Sequence, residues 1–167
     1  MNKDMRRVRE INIQAEAFYN DAVELGDHAA KAFHDLNSSK RNSHRSQMTE
    51  LENIAEGALK TSDIFDYIKK QIARFDYWRK DVQGKINVQE GFGELLKKYL
   101  EEKIAERRGV VCKKIGVAKE TDEDKYMRQQ VYLQLIRQFI RQMVVQYEYR
   151  VSQEEEVSNG ANAGRNS

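Results

Sequence analysis

Histidines and arginines come nearest to a catalytic arrangement in this chain of 167 residues. RNA cleavage by side chains alone needs a cation beside the phosphate and an imidazole for proton transfer. Arg41 stands three positions before His44, a closer spacing than in known helical ribonucleases. His28 and His34 are the other two histidines. A ribonuclease or toxin centred on Arg41 and His44 is therefore one hypothesis, and we otherwise interpret the three histidines as surface or boundary residues.

Patterns typical of metal and nucleotide sites are missing from the sequence. Neither His28 nor His34 has a carboxylate three positions before it, which a helical di-iron site requires. The stretches GKIN and GFGELLKK lack the spacing of a phosphate-binding loop. Cys112 lies beside two lysines that would lower the pKa of its thiol, but a packing cysteine is the more common situation. We expect no catalytic residue, no metal and no other cofactor.

Basic residues recur at helical spacing and could hold phosphates along a surface, whereas the alternative is a solvated face of charges paired along the helix. The groups are Lys69, Lys70 and Arg74; Lys97, Lys98, Lys103, Arg107, Arg108, Lys113 and Lys114; and Arg137 and Arg141. Tyr67, Tyr77 and Trp78 could stack on bases, although Trp78 is expected to anchor the edge of the core. The formal net charge is only +2, so any nucleic-acid site must come from such local clusters.

Long helices must position these groups, because the chain has no proline and is rich in helix-forming residues. The apolar periodicity predicts an all-α bundle of about five helices, over residues 3–36, 48–59, 61–83, 88–116 and 122–153. Thr61 or Ser62 is expected to cap the third helix, and Thr121 to start the fifth. Gly26 is a weak point inside the first helix, and the short second helix carries no buried stripe.

Four of these helices are each predicted to bury one face. The predicted inward residues are Val8, Ile11, Ala15, Phe18, Ala22, Leu25, Ala29 and Phe33; Ile64, Ile68, Ile72, Phe75 and Val82; Phe92, Leu96, Leu100, Ile104, Val111 and Ile115; and Tyr132, Leu135, Ile136, Phe139, Ile140, Met143, Val144 and Tyr147.

The chain is predicted to form one domain over residues 1–153, followed by a disordered tail over 154–167, which is acidic and then small and polar. A single cysteine, no signal-peptide pattern and no apolar stretch of membrane-spanning length favour a cytoplasmic protein.

Three stretches within residues 59–150 resemble the small α-helical subunit of type III-A CRISPR effector complexes, the Csm-type (Cas11-like) small subunit. They are LKTSDIFDYIKKQI, YLEEKIAERRG and FIRQMVVQYEYR. The matching residues are Leu59, Thr61, Ser62 and Ile64; Leu100, Ile104, Ala105 and Arg107 or Arg108; and Phe139, Met143, Val144 and Tyr147. Phe65 stands where the family often has an arginine, and Glu148 where it has a basic residue.

The resemblance implies a non-catalytic subunit of a ribonucleoprotein that takes part in antiviral defence. Such subunits stack in several copies along a filament of Cas7-like backbone subunits, reach the Cas10-like large subunit, and contact the backbones of guide RNA and target RNA. The residues expected to contact RNA phosphates are Lys60, Lys69, Lys70, Arg74, Arg107, Arg108, Arg141 and Arg150. The alternative is a helical interaction or scaffold subunit without an RNA role, whose N-terminal helix (3–36) packs on another chain.

Overall fold

The computed structural model describes residues 2–33 and 44–165, and its helices confirm the all-α prediction. The helices are α1 (Lys3–Ala17), α2 (Tyr19–Phe33), α3 (Arg45–Gly57), α4 (Thr61–Arg74), α5 (Phe92–Tyr99), α6 (Ala105–Ile115) and α7 (Asp122–Arg165). A 3₁₀ turn, Asp76–Arg79, follows α4, and a π-helical turn, Leu100–Ile104, joins α5 to α6. Because α5, the π turn and α6 are continuous, these segments amount to about six helices, one more than predicted.

The additional helix comes from a break at Phe18 in the predicted N-terminal helix. Its backbone leaves the helical region, at φ −98° and ψ 4°, and its ring is fully buried against Phe139. Burying this ring turns the chain, so α1 and α2 lie along different parts of α7. Val8 is 52% exposed, contrary to the prediction, whereas the other predicted inward residues of this region are buried.

The centre of the bundle is α7, which contacts α1, α2, α3, α4 and α6. All eight of its predicted inward residues are buried, from Tyr132 to Tyr147. Its first turn is capped as predicted, because the Thr121 hydroxyl accepts a hydrogen bond from the Asp124 amide at 3.1 Å. By contrast, α4 has Lys60 at its N-cap and no side-chain cap, so the capping predicted for Thr61 or Ser62 is wrong.

The face that α3 turns to the bundle corrects the prediction that no buried stripe crosses this helix. Met48, Leu51 and Ala55 are buried at spacings of three and four residues, and Ala58 continues the stripe. Two of the four are alanines, which bury little area but allow close helix packing. In the neighbouring segment Val82 is 56% exposed and was wrongly predicted to face inward.

An aromatic cluster closes one side of the core around Trp78, which is fully buried. The ring centroid of Trp78 lies 5.2 Å from that of Phe33 and 5.3 Å from that of Phe92. This confirms Trp78 as a packing residue and places it inside the core. Gly93 sits so close to this cluster that a Cβ there would lie 3.1 Å from Cε3 of Trp78 and would clash with Cγ1 of Ile72.

His28 also lies within the core, at 4% exposure, so its prediction as a surface or boundary residue is wrong. Its Nε2 is 2.9 Å from the carbonyl oxygen of Lys80, which ties α2 to the segment before α5. Burial lowers the pKa of the imidazole below 6.5, although the hydrogen bond to Lys80 and the nearby Asp81 oppose this. The ring is therefore neutral at pH 7.

This lowered pKa predicts that stability falls on mild acidification. The unfolded chain takes up a proton near pH 6.5 and the folded chain only at a lower pH, so stability is full above pH 6.5 and decreases as the pH falls. We expect the denaturant midpoint to drop between pH 7.5 and pH 5.5, and to drop less in His28→Gln, whose amide donates without titrating. Equal pH dependence in the two proteins would contradict the prediction.

The end of α7 extends beyond the bundle. Val151 is the last buried residue among the side chains described there, and Val157 is 74% exposed. The helix continues to Arg165 through the segment whose composition predicts disorder, and that disorder stays a prediction. No helix in the described part of the chain combines the length and apolar composition needed to cross a bilayer.

Candidate nucleic-acid interface

The C-terminal half of α4 carries the most open group of predicted RNA contacts. Lys69, Lys70 and Arg74 are all exposed, and the last two lie one helical turn apart. Lys69 lies 3.9 Å from the Asp66 carboxylate. Neither Lys70 nor Arg74 has an ion pair within 4 Å among the described residues. Two neighbouring cations on this face are therefore available to an external anion.

Lys60 is the N-cap residue at the other end of α4. Its side chain is 71% exposed and its Nζ lies 3.8 Å from Asp63. Such an exposed pair in water contributes at most about 1 kcal/mol, so it competes weakly with a phosphate. The 14 residues of α4 separate Lys60 from Arg74 by about 20 Å, so the cations are spread over the length of the helix, with Asp63 and Asp66 between them.

The two predicted contacts on α6 are engaged inside the bundle. Arg107 donates to the side-chain oxygen of Gln14 at 2.9 Å and so connects α6 to α1. The guanidinium of Arg108 lies 4.5 Å from the ring centroid of Tyr132, a cation–π contact with α7. Both arginines are partly buried. These contacts hold helices together and leave less of each guanidinium for RNA.

The two predicted contacts on α7 also have partners within the chain. Arg141 pairs with Glu56 of α3 at 2.5 Å, with half of its side chain exposed. Arg150 pairs with Asp27 of α2 at 3.1 Å. Burial alone would raise the pKa of the Asp27 carboxyl, but hydrogen bonds from Arg150 and Gln146 outweigh it and lower that pKa. An RNA phosphate would have to share or displace these carboxylates.

The eight predicted contacts thus separate into two groups. Lys60, Lys69, Lys70 and Arg74 form the basic edge of α4, whereas the four arginines of α6 and α7 link different helices of the bundle. The sequence could not separate the groups, because the partners of Arg107, Arg141 and Arg150 lie 85 to 123 residues away in the chain, and Tyr132, the partner of Arg108, lies on another helix.

The residues considered for ribonuclease, thiol and metal chemistry give no combined site among the described residues. Arg41 and His34 are outside the described residues, and the His44 ring lies 3.8 Å from that of Tyr77. Cys112 is buried; this burial raises the pKa of its thiol despite the nearby Arg128 and Arg108, which confirms a packing cysteine. Within residues 2–33 and 44–165, no three histidine, cysteine or carboxylate side chains are grouped as metal ligands.

Aromatic residues open to a nucleic acid differ from those considered in the sequence. Tyr77 and Trp78 are buried and Tyr67 is half-buried, so these three rings are poor stacking platforms. The exposed tyrosines are Tyr19, Tyr126 and Tyr149. The signal for Tyr149 was its position two residues after the core residue Tyr147, since two residues turn a helix by about 200°.

Comparisons with known proteins do not assign the chain to a family. No protein-family model, no curated protein and no solved structure matches it.

Proposed function

We propose that this chain is the non-catalytic small subunit of a type III CRISPR ribonucleoprotein. In this proposal several copies stack beside Cas7-like backbone subunits and the Cas10-like large subunit and contact the backbones of guide and target RNA. The observation that carries the RNA contact is the basic edge of α4, where Lys70 and Arg74 are exposed and without ion pairs among the described residues. The resemblance of residues 59–150 supports the assignment to this kind of complex.

The geometry favours phosphate contact over base recognition on α4. Lysine ammonium and arginine guanidinium groups on a helix surface neutralise phosphates without reading sequence. Two or three contacts per copy give weak binding, and stacking of several copies multiplies it through avidity. Guide pairing would supply the specificity.

Reversing charge on α4 tests this proposal. We expect the double variant Lys70→Glu, Arg74→Glu to bind single-stranded RNA more weakly than the unmodified chain does. The slope of log K against log salt concentration should decrease by about 1.4, or about 0.7 for each of two lost phosphate contacts. Filter binding over a salt series measures both quantities.

The matched control is Lys113→Glu, Lys114→Glu, which changes the formal charge equally on exposed residues of α6. It should keep the salt slope of the unmodified chain. An equal loss of binding in both variants would show that only net charge matters. Absence of RNA binding by the unmodified chain, alone and with backbone subunits, would disprove the proposal.

An interaction subunit without an RNA role is the second candidate, favoured by one observation. Val82, Ile86 and Val88 lie on the segment before α5 and are each more than half exposed, and grouped exposed apolar side chains are typical of protein-contact surfaces. The N-terminal segment 3–36, which this hypothesis expects to pack on another chain, is the less suitable contact surface, because its second half, α2, has the most extensive contact with α7.

A further inference from the structure

One stripe of α7 is left uncovered between α1 and α3. Gln134, Gln138, Arg141, Val145 and Tyr149 follow one another at spacings of four, three, four and four residues, so they lie on one face of the helix. None of the five is buried, and Val145 and Tyr149 are 63% and 57% exposed. We call this face the outer stripe. It spans about 22 Å along the helix.

Gln134, Gln138 and Arg141 of the outer stripe form the floor of a groove of about 240 Å³. Val8 and Asn12 of α1 line one wall, and Glu56 of α3 lines the other. The α3 wall is fixed by Arg137, which donates to the carbonyl oxygens of Ala55 at 2.8 Å and Ala58 at 2.6 Å. The α1 wall is fixed by Gln142, which donates to the carbonyl oxygen of Ala15 at 3.1 Å. The groove is therefore a built feature of the bundle.

The groove combines neutral amides with charged side chains. Asn12, Gln134 and Gln138 are neutral amides, each of which can both donate and accept hydrogen bonds. The one carboxylate of the lining, Glu56, is paired with Arg141, and Arg137 leaves the lining with a net positive charge. Beyond the groove Tyr149 offers an open ring, whose hydroxyl accepts a hydrogen bond from Gln153 at 2.8 Å.

We propose that the outer stripe of α7 binds the bases of a single-stranded RNA. Amides match the mixed donors and acceptors of base edges, and a phenol ring stacks on a base. A phosphate would share the half-exposed Arg141 guanidinium with Glu56. The inference rests on the proposed function and adds base contact to it, because α4 supplies charge alone. A protein helix is the less suitable occupant, since the stripe has a single aliphatic residue, Val145, and Val8 is the one exposed aliphatic residue in the groove wall.

The test separates base contact from phosphate contact. Binding of an oligouridylate is compared with binding of an abasic ribose-phosphate oligomer of the same length, by fluorescence anisotropy. We expect Tyr149→Ala to weaken binding of the uridylate roughly tenfold, as the loss of one stacked base does, and to leave abasic binding unchanged. Tyr149→Phe, which keeps the ring, should bind as the unmodified chain does.

Tyr126→Ala is the matched control, because Tyr126 is a 65% exposed tyrosine on another face of the same helix. It should change neither affinity. The inference is overturned if Tyr149→Ala has no effect, if it weakens both ligands equally, or if it changes only self-association, which would assign the stripe to a second copy.

The two proposals fail in distinguishable ways. If Lys70→Glu, Arg74→Glu weakens both ligands while Tyr149→Ala weakens neither, only the base-binding inference fails. If the α4 variant weakens neither ligand, the phosphate contact proposed for α4 is wrong, whatever the result for Tyr149→Ala.

Discussion

Gly26→Ala is expected to lower the free energy of unfolding by about 2–3 kcal/mol, although alanine is the stronger helix former. Gly26 faces α7 at a point where the two helices lie close together. A Cβ at this position would lie 2.6 Å from the carbonyl oxygen of Met143 and 2.7 Å from Cβ of Gln146. The first of these atoms belongs to the backbone of the central helix and cannot rotate away. The two helices would therefore have to separate.

The cost of separation is large because α2 and α7 share the largest helix–helix contact of the bundle. Phe33 and Tyr147 meet across it, with ring centroids 5.9 Å apart, and Asp27 pairs with Arg150. In denaturant unfolding, the loss of stability should appear as a lower midpoint concentration, while the dependence of the unfolding free energy on denaturant concentration stays unchanged.

Gly109→Ala is the control for this prediction. Gly109 also lies inside a helix, but a Cβ there would meet nothing within 4 Å. Only the higher intrinsic helix propensity of alanine then acts, so the substitution should raise the free energy of unfolding by about 0.5–1 kcal/mol. If both substitutions changed stability in the same direction, close packing at Gly26 would not be the reason for its glycine.

Gly26 also illustrates a feature that the sequence alone does not predict, namely where the N-terminal helix breaks. A glycine inside a helical pattern predicts either a weak point or a close contact, and periodicity alone does not choose between them. The helix passes through Gly26, and it breaks instead at Phe18, a residue that the apolar pattern places correctly in the core. At the break the Phe18 ring packs on Phe139, which is 121 residues away in the chain and outside the reach of any local signal.

The candidate site was predictable to a similar degree. The pattern placed cations on α4, α6 and α7, and exposure on α4 follows from its apolar face at Ile64 and Ile68. It could not reveal that Arg107 reaches Gln14 or that Arg150 reaches Asp27, because such contacts depend on how helices are arranged. The outer stripe was not predicted from the sequence, because the apolar pattern of the same segment, which includes Phe139 and Tyr147, indicates only a buried face.

The largest loss of stability is expected for Phe139→Ala, at about 3–5 kcal/mol. Phe139 is fully buried, and its ring stacks on Tyr99 with centroids 4.5 Å apart while Phe18 meets it at 5.6 Å. These contacts join α7 to the end of α5 and to the turn between α1 and α2. Removing the ring leaves a cavity at a point that three segments share, so the site has little freedom to collapse.

Thermal or denaturant unfolding of Phe139→Ala should be compared with that of Tyr149→Ala, which removes an exposed aromatic ring from the same helix and should change stability by less than about 0.5 kcal/mol. A loss below about 1 kcal/mol for Phe139→Ala would contradict the packing described here. The comparison distinguishes the buried face of the segment FIRQMVVQYEYR from its exposed face. Phe139 and Tyr147 then account for folding, and Tyr149, on the outer stripe, can be tested for RNA binding in a chain that remains folded.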